Sequence, residues 1–119
     1  PRQKQTSDWD VPLAEGMGDE AYLSKVRAYL PQVLSQVKPN LVLYDAGADV
    51  HQRDRLGKLA LTNTGLYERD HLVLETCIAA GYPVACVIGG GYDKNMADLV
   101  YRHSLLHRAA ATVYQQYRL

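Results

Sequence analysis

The chain has 119 residues, and its thirteen basic and thirteen acidic side chains cancel to a formal net charge of zero. This balance gives no electrostatic footprint for a nucleic-acid backbone. The apolar content, 47%, is enough for one domain core, and no apolar run is long enough to span a bilayer. Residues 1–6 lack the apolar segment of a signal peptide. We therefore expect a cytoplasmic protein with neither a nucleic acid nor a membrane as its direct partner.

The first eighteen residues show no sustained hydrophobic period and are interrupted by Pro12 and Gly18, which predicts an extended arm over residues 1–18. A helix is predicted next, because apolar side chains recur there at the spacing of one helical face. Pro31 lies inside this helix, and since proline removes a backbone donor we expect a kink or a break near Tyr29. The apolar positions of the helix are Tyr22, Leu23, Val26, Leu30, Val33, Leu34 and Val37.

Two near-continuous apolar runs of strand length, residues 41–44 and 84–88, predict strands that are covered on both faces. The helix between them can be capped by Thr62 or Thr64 and is closed by Gly81. Its predicted buried face comprises Leu66, Val73, Leu74, Cys77 and Ile78.

Within that helix the charged cluster at residues 67–70 is interpreted as a solvated face. A long final helix is predicted from Asn95 to about Tyr117. The resulting order, helix, strand, helix, strand, helix, is typical of a right-handed parallel unit. Two strands are too few for a sheet buried on both sides, so either the chain self-associates or an upstream part supplies more strands. The predicted apolar stripe of the final helix comprises Met96, Leu99, Val100, His103, Leu106, Ala110, Val113 and Tyr117.

Each predicted strand is followed by small residues and then by a side chain able to do chemistry. If the strands are parallel, Asp49 and Tyr92 emerge at the same sheet edge, where open α/β sheets hold their ligands. Asp49 alone could be a hydrogen-bonded turn residue. With Asp45, His51 and Asp54 nearby, its loop also has the donors of a divalent metal site, and we expect one ligand from it.

The glycines at residues 89–91 allow two interpretations. They could cradle a phosphate, since glycine lets backbone amides approach an anion, or they could form a turn by which the chain leaves the sheet sharply. The spacing of a dinucleotide fingerprint and the Gly-Lys-Ser/Thr ending of a triphosphate loop are absent from this stretch. We therefore expect no tight nucleotide binding.

Two motifs resemble the C-terminal half of the zinc-dependent histone deacetylase family, which includes acetoin-utilisation proteins and acetylpolyamine amidohydrolases. The first is Tyr-Asp-Ala-Gly-Ala-Asp-Val-His at residues 44–51 with Asp-Arg-Leu-Gly at 54–57, and the second is Ile-Gly-Gly-Gly-Tyr at 88–92. Three upstream stretches look most like the class IV-like bacterial branch: residues 2–5, 7–13 and 16–23.

The resemblance implies the C-terminal portion of an arginase/deacetylase-like three-layer α/β fold with a parallel sheet. It also implies hydrolysis of the acetyl amide of acetyl-lysine, or of a similar acylated amine, by a zinc-bound water. Asp49 matches the family's third zinc ligand, and Tyr92 matches the tyrosine that donates to the substrate carbonyl as it becomes an oxyanion. Leu56 matches an apolar residue of the acyl channel. Gly90 and Gly91 match glycines that let the acyl-lysine stem pass close to the backbone.

The chain departs from the family pattern in ways that bear on its activity. The Asp-x-His segment with the other two zinc ligands, and the His-His pair that handles proton transfer, lie upstream in the family and have no match here. Residues 49–51 also read Asp-x-His, but they belong to the motif at residues 44–51 and do not correspond to that upstream segment. Arg53 and Arg55 replace the family's usual residues, and three glycines precede Tyr92 where many members have four.

These departures and an opening proline define two hypotheses. In the first, residues 1–119 are the C-terminal segment of a single deacetylase-type catalytic domain, whose Zn²⁺ needs ligands from a missing upstream half. The segment alone is then expected to be inactive and to self-associate. In the second, the chain is a catalytically incomplete deacetylase-like interaction or assembly module that pairs through its sheet edge.

Overall fold

A computed structural model describes residues 7–54 and 56–119. The predicted order of elements is confirmed. Of the predicted arm, residues 7–18 contain no helix or strand, and residues 1–6 lie outside the described part. The elements are α1 (Asp19–Val37), β1 (Val42–Gly47), α2 (Asn63–Ala79), β2 (Val84–Gly89) and α3 (Met96–Gln116).

The two strands are parallel and in full register, from Val42 opposite Val84 to Gly47 opposite Gly89. The pairing continues one residue further, where the Ala48 N–H donates to the Gly89 carbonyl at 3.0 Å. Both strands therefore end at one edge of the sheet, as the sequence predicted.

Helix α1 runs without interruption through Pro31, so the predicted break into two pieces is wrong. Leu34, one turn beyond the proline, packs in a buried cluster with Val73 and Cys77 of α2. This packing on the far side of Pro31 holds the second half of the helix in place despite the lost backbone hydrogen bond.

The predicted cap of α2 is confirmed, and α3 begins one residue after the predicted Asn95. The Thr62 side chain accepts a hydrogen bond from the Gly65 N–H, and the Asn95 side chain accepts one from the Asp98 N–H. The stripe predicted for α3 is partly wrong, because Met96, Val100 and Ala110 are exposed. The face that packs inward comprises Arg102, Leu105, Leu106, Ala109 and Val113.

Helices cover only one face of the sheet. On one face, Tyr44 and Ala46 of β1 pack in a buried cluster with Leu74 of α2 and Leu106 of α3. On the opposite face, Leu43 is 78% exposed. Val87 of β2 is exposed on that same bare face. The prediction of strands covered on both faces therefore does not hold for the described residues taken by themselves. Among the described residues, every helix is too short or too polar to serve as a membrane span.

Candidate functional site

Asp49 follows β1 directly and lies where the glycines of both strand ends leave room for its carboxylate. An ideal Cβ on Gly47 would be 2.8 Å from Asp49 Oδ1, and one on Gly90 would be 3.0 Å from Asp49 Cγ. Gly90 also has a φ of +53°, which an L side chain rarely adopts. A side chain at either glycine would crowd the carboxylate, which would then have to shift.

A shallow depression of about 260 Å³ opens beside Asp49. Two predicted site residues, Asp49 and Gly90, form part of its wall. The other three, Leu56, Gly91 and Tyr92, lie outside this wall on the adjoining loops. The full wall comprises Tyr22, Asp45, Gly47, Asp49, Val50, Arg69 and Gly90.

Tyr92 follows the glycines of the β2 loop, and its side chain is exposed, at 54% of its full area. Its backbone N–H donates to Asp54 Oδ1, 2.5 Å away. Asp54 belongs to the loop that starts at Asp49, so the two predicted functional loops are joined directly. In the sequence Asp54 is only a possible metal donor, and its spacing along the chain does not indicate this contact with Tyr92.

Leu56 lies beside the Asp54 carboxylate, and its side chain is exposed. Asp54 Oδ2 accepts hydrogen bonds from the backbone N–H groups of Leu56 and Gly57. Gly57 in turn packs on the backbone of Asp49 so tightly that an added Cβ would overlap the Asp49 carbonyl oxygen. The loop from Asp49 to Gly57 therefore folds back on itself. Arg55 lies outside the described residues.

Gly91, which precedes Tyr92, packs closely against neighbouring residues. This packing is separate from the close passage of an acyl-lysine stem that the resemblance implies for this glycine. Gly91 has a φ of +105°, and an ideal Cβ there would be 3.3 Å from Ala48 Cβ and 3.4 Å from His103 Nε2. A larger residue at this position would push the Tyr92 loop away from α3.

The prediction of a solvated face for the charged cluster at residues 67–70 of α2 holds for Glu68, which is exposed, and is wrong for Arg69 and Asp70. Arg69 and Asp70 are only 5% and 2% exposed, and Arg69 Nε donates to Asp70 Oδ1 at 3.0 Å. The Tyr44 hydroxyl donates to the same oxygen, and an Arg69 N–H donates to the Gly47 carbonyl at 2.7 Å. This buried network braces the end of β1 that carries Asp49. The sequence does contain one indication that Asp70 is buried, because it lies four residues after Leu66 and therefore on the apolar stripe of the helix.

The possible metal ligands of the loop that follows β1 differ in whether their side-chain atoms are already hydrogen-bonded. The Asp54 carboxylate accepts three backbone N–H groups, and His51 Nδ1 accepts one from Arg53. Burial lowers the pKa of His51, and the Arg102 charge adds to this effect. Asp49, in contrast, presents an exposed carboxylate cradled by glycines, which fits one ligand of a divalent metal. Among the described residues, no group of three or more metal-binding side chains comes together.

Comparisons with known proteins agree with these motifs. A family model described as the histone deacetylase domain matches residues 2–107. The chain is 68% identical over 114 residues to an uncharacterized protein of Picosynechococcus sp., covering 96% of this chain and 38% of that protein. It is 29% identical to histone deacetylase 2 of Arabidopsis thaliana, in a match that covers 83% of this chain and 26% of that protein. It is 34% identical to a probable deacetylase of Archaeoglobus fulgidus, in a match that covers 71% of this chain and 24% of that protein.

A solved structure shows the same fold. The acetylpolyamine aminohydrolase from Burkholderia pseudomallei superposes with a TM-score of 0.72 at 21% identity, covering 87% of this chain and 28% of that one. The arginase/deacetylase α/β fold predicted from the sequence is thereby confirmed. The chain spans less than two fifths of the length of each of these relatives.

Proposed function

The chain belongs to the histone deacetylase family, and from that premise we propose that it is part of a zinc-dependent deacetylase acting on acetyl-lysine or a similar acylated amine. The observation that carries the proposal is the meeting of the Asp49 and Tyr92 loops at one sheet edge, joined through Asp54. Because the chain spans only part of its relatives, the activity is proposed for the complete protein.

Asp49 would hold the zinc ion by its exposed carboxylate. When bound, zinc supplies Lewis-acid polarisation of the amide carbonyl and activation of water. A catalytic zinc takes three protein ligands, and the described residues bring no such group together. We therefore propose that the remaining ligands come from a part of the protein upstream of this chain.

The other site residues act on the substrate. The Tyr92 phenol donates a hydrogen bond to the amide oxygen as negative charge develops there. Leu56 offers an exposed apolar side chain to the acyl-lysine stem. The backbone at Gly90 and Gly91 permits close passage of that stem, because no Cβ projects from it.

The test uses the complete protein, assayed for zinc content and for hydrolysis of an acetyl-lysine peptide and an acetylated polyamine. Asp49→Asn is expected to lower zinc content and abolish activity. Tyr92→Phe should keep the zinc and lower kcat by about 10²- to 10³-fold, as expected for loss of an oxyanion donor. The matched controls are Asp8→Asn and Tyr114→Phe, which change exposed side chains. Full zinc content and activity in Asp49→Asn would contradict the proposal.

The bare sheet face favours a second candidate, an interaction module. Leu43 and Val87 expose apolar surface that a partner could cover. A complete protein that lacks hydrolytic activity in every acyl-amine assay, yet binds a partner through this face, would support the module and exclude the enzyme.

A further inference from the structure

The Asp54 carboxylate is nearly buried, with the residue 8% exposed, yet it faces no cation in a described ion pair. It is satisfied by three backbone N–H groups instead. Oδ1 accepts from Tyr92 at 2.5 Å, and Oδ2 accepts from Leu56 at 3.0 Å and Gly57 at 2.7 Å. Hydrogen bonds to a charged acceptor are roughly twice as strong as neutral ones. We call this arrangement the Asp54 bridge.

The Asp54 bridge connects segments that are distant in sequence. Its Oδ2 side closes the Asp49 loop, where the Asp54 N–H also donates to the His51 carbonyl at 3.0 Å. Its Oδ1 side holds Tyr92, 38 positions further along the chain. The same carboxylate thus fixes the backbone of the proposed oxyanion donor to the loop of the proposed zinc ligand.

A second contact restrains the Tyr92 loop from its other side. Asp93 pairs with the buried Arg102 of α3, its Oδ2 lying 2.5 Å from an Arg102 nitrogen, and its Oδ1 accepts the Asn95 N–H. The Tyr92 phenol itself extends into solvent. Its position therefore depends on how firmly its backbone is held, and only the Asp54 bridge ties that backbone toward Asp49 among the described hydrogen bonds.

We propose that Asp54 is a positioning residue that sets the Tyr92 phenol at the correct distance from the Asp49 carboxylate. This inference rests on the proposed deacetylase function. An oxyanion donor is effective only within about 2.7–3.1 Å of the developing charge, and a misplacement of about 1 Å can cost about a hundredfold in rate. Asparagine cannot replace Asp54, because its NH₂ group would face one of the three donors.

The first measurement is a kinetic double-mutant cycle on the complete protein with an acetyl-lysine peptide. Asp54→Asn is expected to lower kcat by about 10- to 100-fold with KM and zinc content little changed. In the Tyr92→Phe background the same substitution should lower kcat less than about twofold, because Asp54 acts through Tyr92. Asp98→Asn is the matched control, a half-exposed carboxylate on the neighbouring helix.

The second measurement does not need activity. The Tyr92 amide should exchange with solvent at least about tenfold faster in Asp54→Asn than in the wild type or Asp98→Asn, because its acceptor is weakened. If Asp54→Asn does not fold, Asp54→Ser takes its place, since serine keeps an acceptor in a smaller side chain.

The outcomes separate the inference from the function it rests on. Unchanged exchange at Tyr92, or an equal loss of kcat in both backgrounds, overturns the positioning role. An inactive wild type overturns the proposed function, and the exchange measurement then decides by itself whether the Asp54 bridge holds Tyr92.

Discussion

The missing side chain of Gly90 makes room for the carboxylate of Asp49, since an ideal Cβ on Gly90 would lie 3.0 Å from Asp49 Cγ. The two residues lie in the loops that follow different strands, and they meet only because β1 and β2 end at one edge. The proposed metal ligand is thus shaped by the loop that carries the proposed oxyanion donor.

Gly90→Ala is therefore expected to lower the zinc content of the complete protein, because the methyl group displaces the Asp49 carboxylate. Gly81→Ala is the matched control. Gly81 also has a positive φ, +86°, but an added Cβ there meets nothing within 4 Å. Both variants should lose about 1 kcal/mol of stability from backbone strain. Equal zinc contents, measured by metal analysis, would show that the contact with Asp49 has no effect.

Arg69→Met is expected to lower the free energy of unfolding by about 3–5 kcal/mol, because it leaves Asp70 buried without its charged partner. Arg27→Met, which changes an exposed arginine of α1, should stay within about 0.5 kcal/mol of the wild type. Denaturant unfolding measures both. Similar midpoints for the two variants would indicate that the pair contributes little to stability.

Stability at alkaline pH should depend on Tyr44. Burial raises the pKa of its phenol, Arg69 opposes the shift and Asp70 adds to it, so the net direction is upward. A folded-state pKa above the unfolded value of about 10 gives a contribution that is fully present below pH 10 and lost as pH rises further. The free energy of unfolding should therefore fall less steeply above pH 10 in Tyr44→Phe than in the wild type. Parallel pH profiles would contradict this.

The 119-residue chain by itself is expected to self-associate through the bare face of its sheet. Leu43→Glu should shift sedimentation toward the monomer, because it replaces an exposed apolar side chain of this face with a charged one. Val100→Glu, which changes an exposed apolar residue of α3, is the control. A monomeric wild type, or an equal effect of both substitutions, would argue against association through this face.

Much of the fold could be predicted because its signals are local. The cap at Thr62, the start of the last helix near Asn95 and the two apolar strand runs each specify an element within a few residues of sequence. The parallel crossover then places the ends of both strands at one edge. The predictions that failed concern packing. Pro31 does not break α1, and Arg69 and Asp70 are buried. Part of the stripe predicted for α3 is exposed, and in the described residues one face of the sheet is bare.

The sequence alone determined the family, the order of the elements, and which strand ends carry a carboxylate and a phenol. Only the tertiary structure showed that Asp54 joins the two loops, that Gly90 accommodates Asp49, and that a buried ion pair braces β1. The physical reason is that hydrogen bonds between loops and the exclusion of a Cβ depend on distances across the fold. The spacing of residues along the chain does not encode those distances.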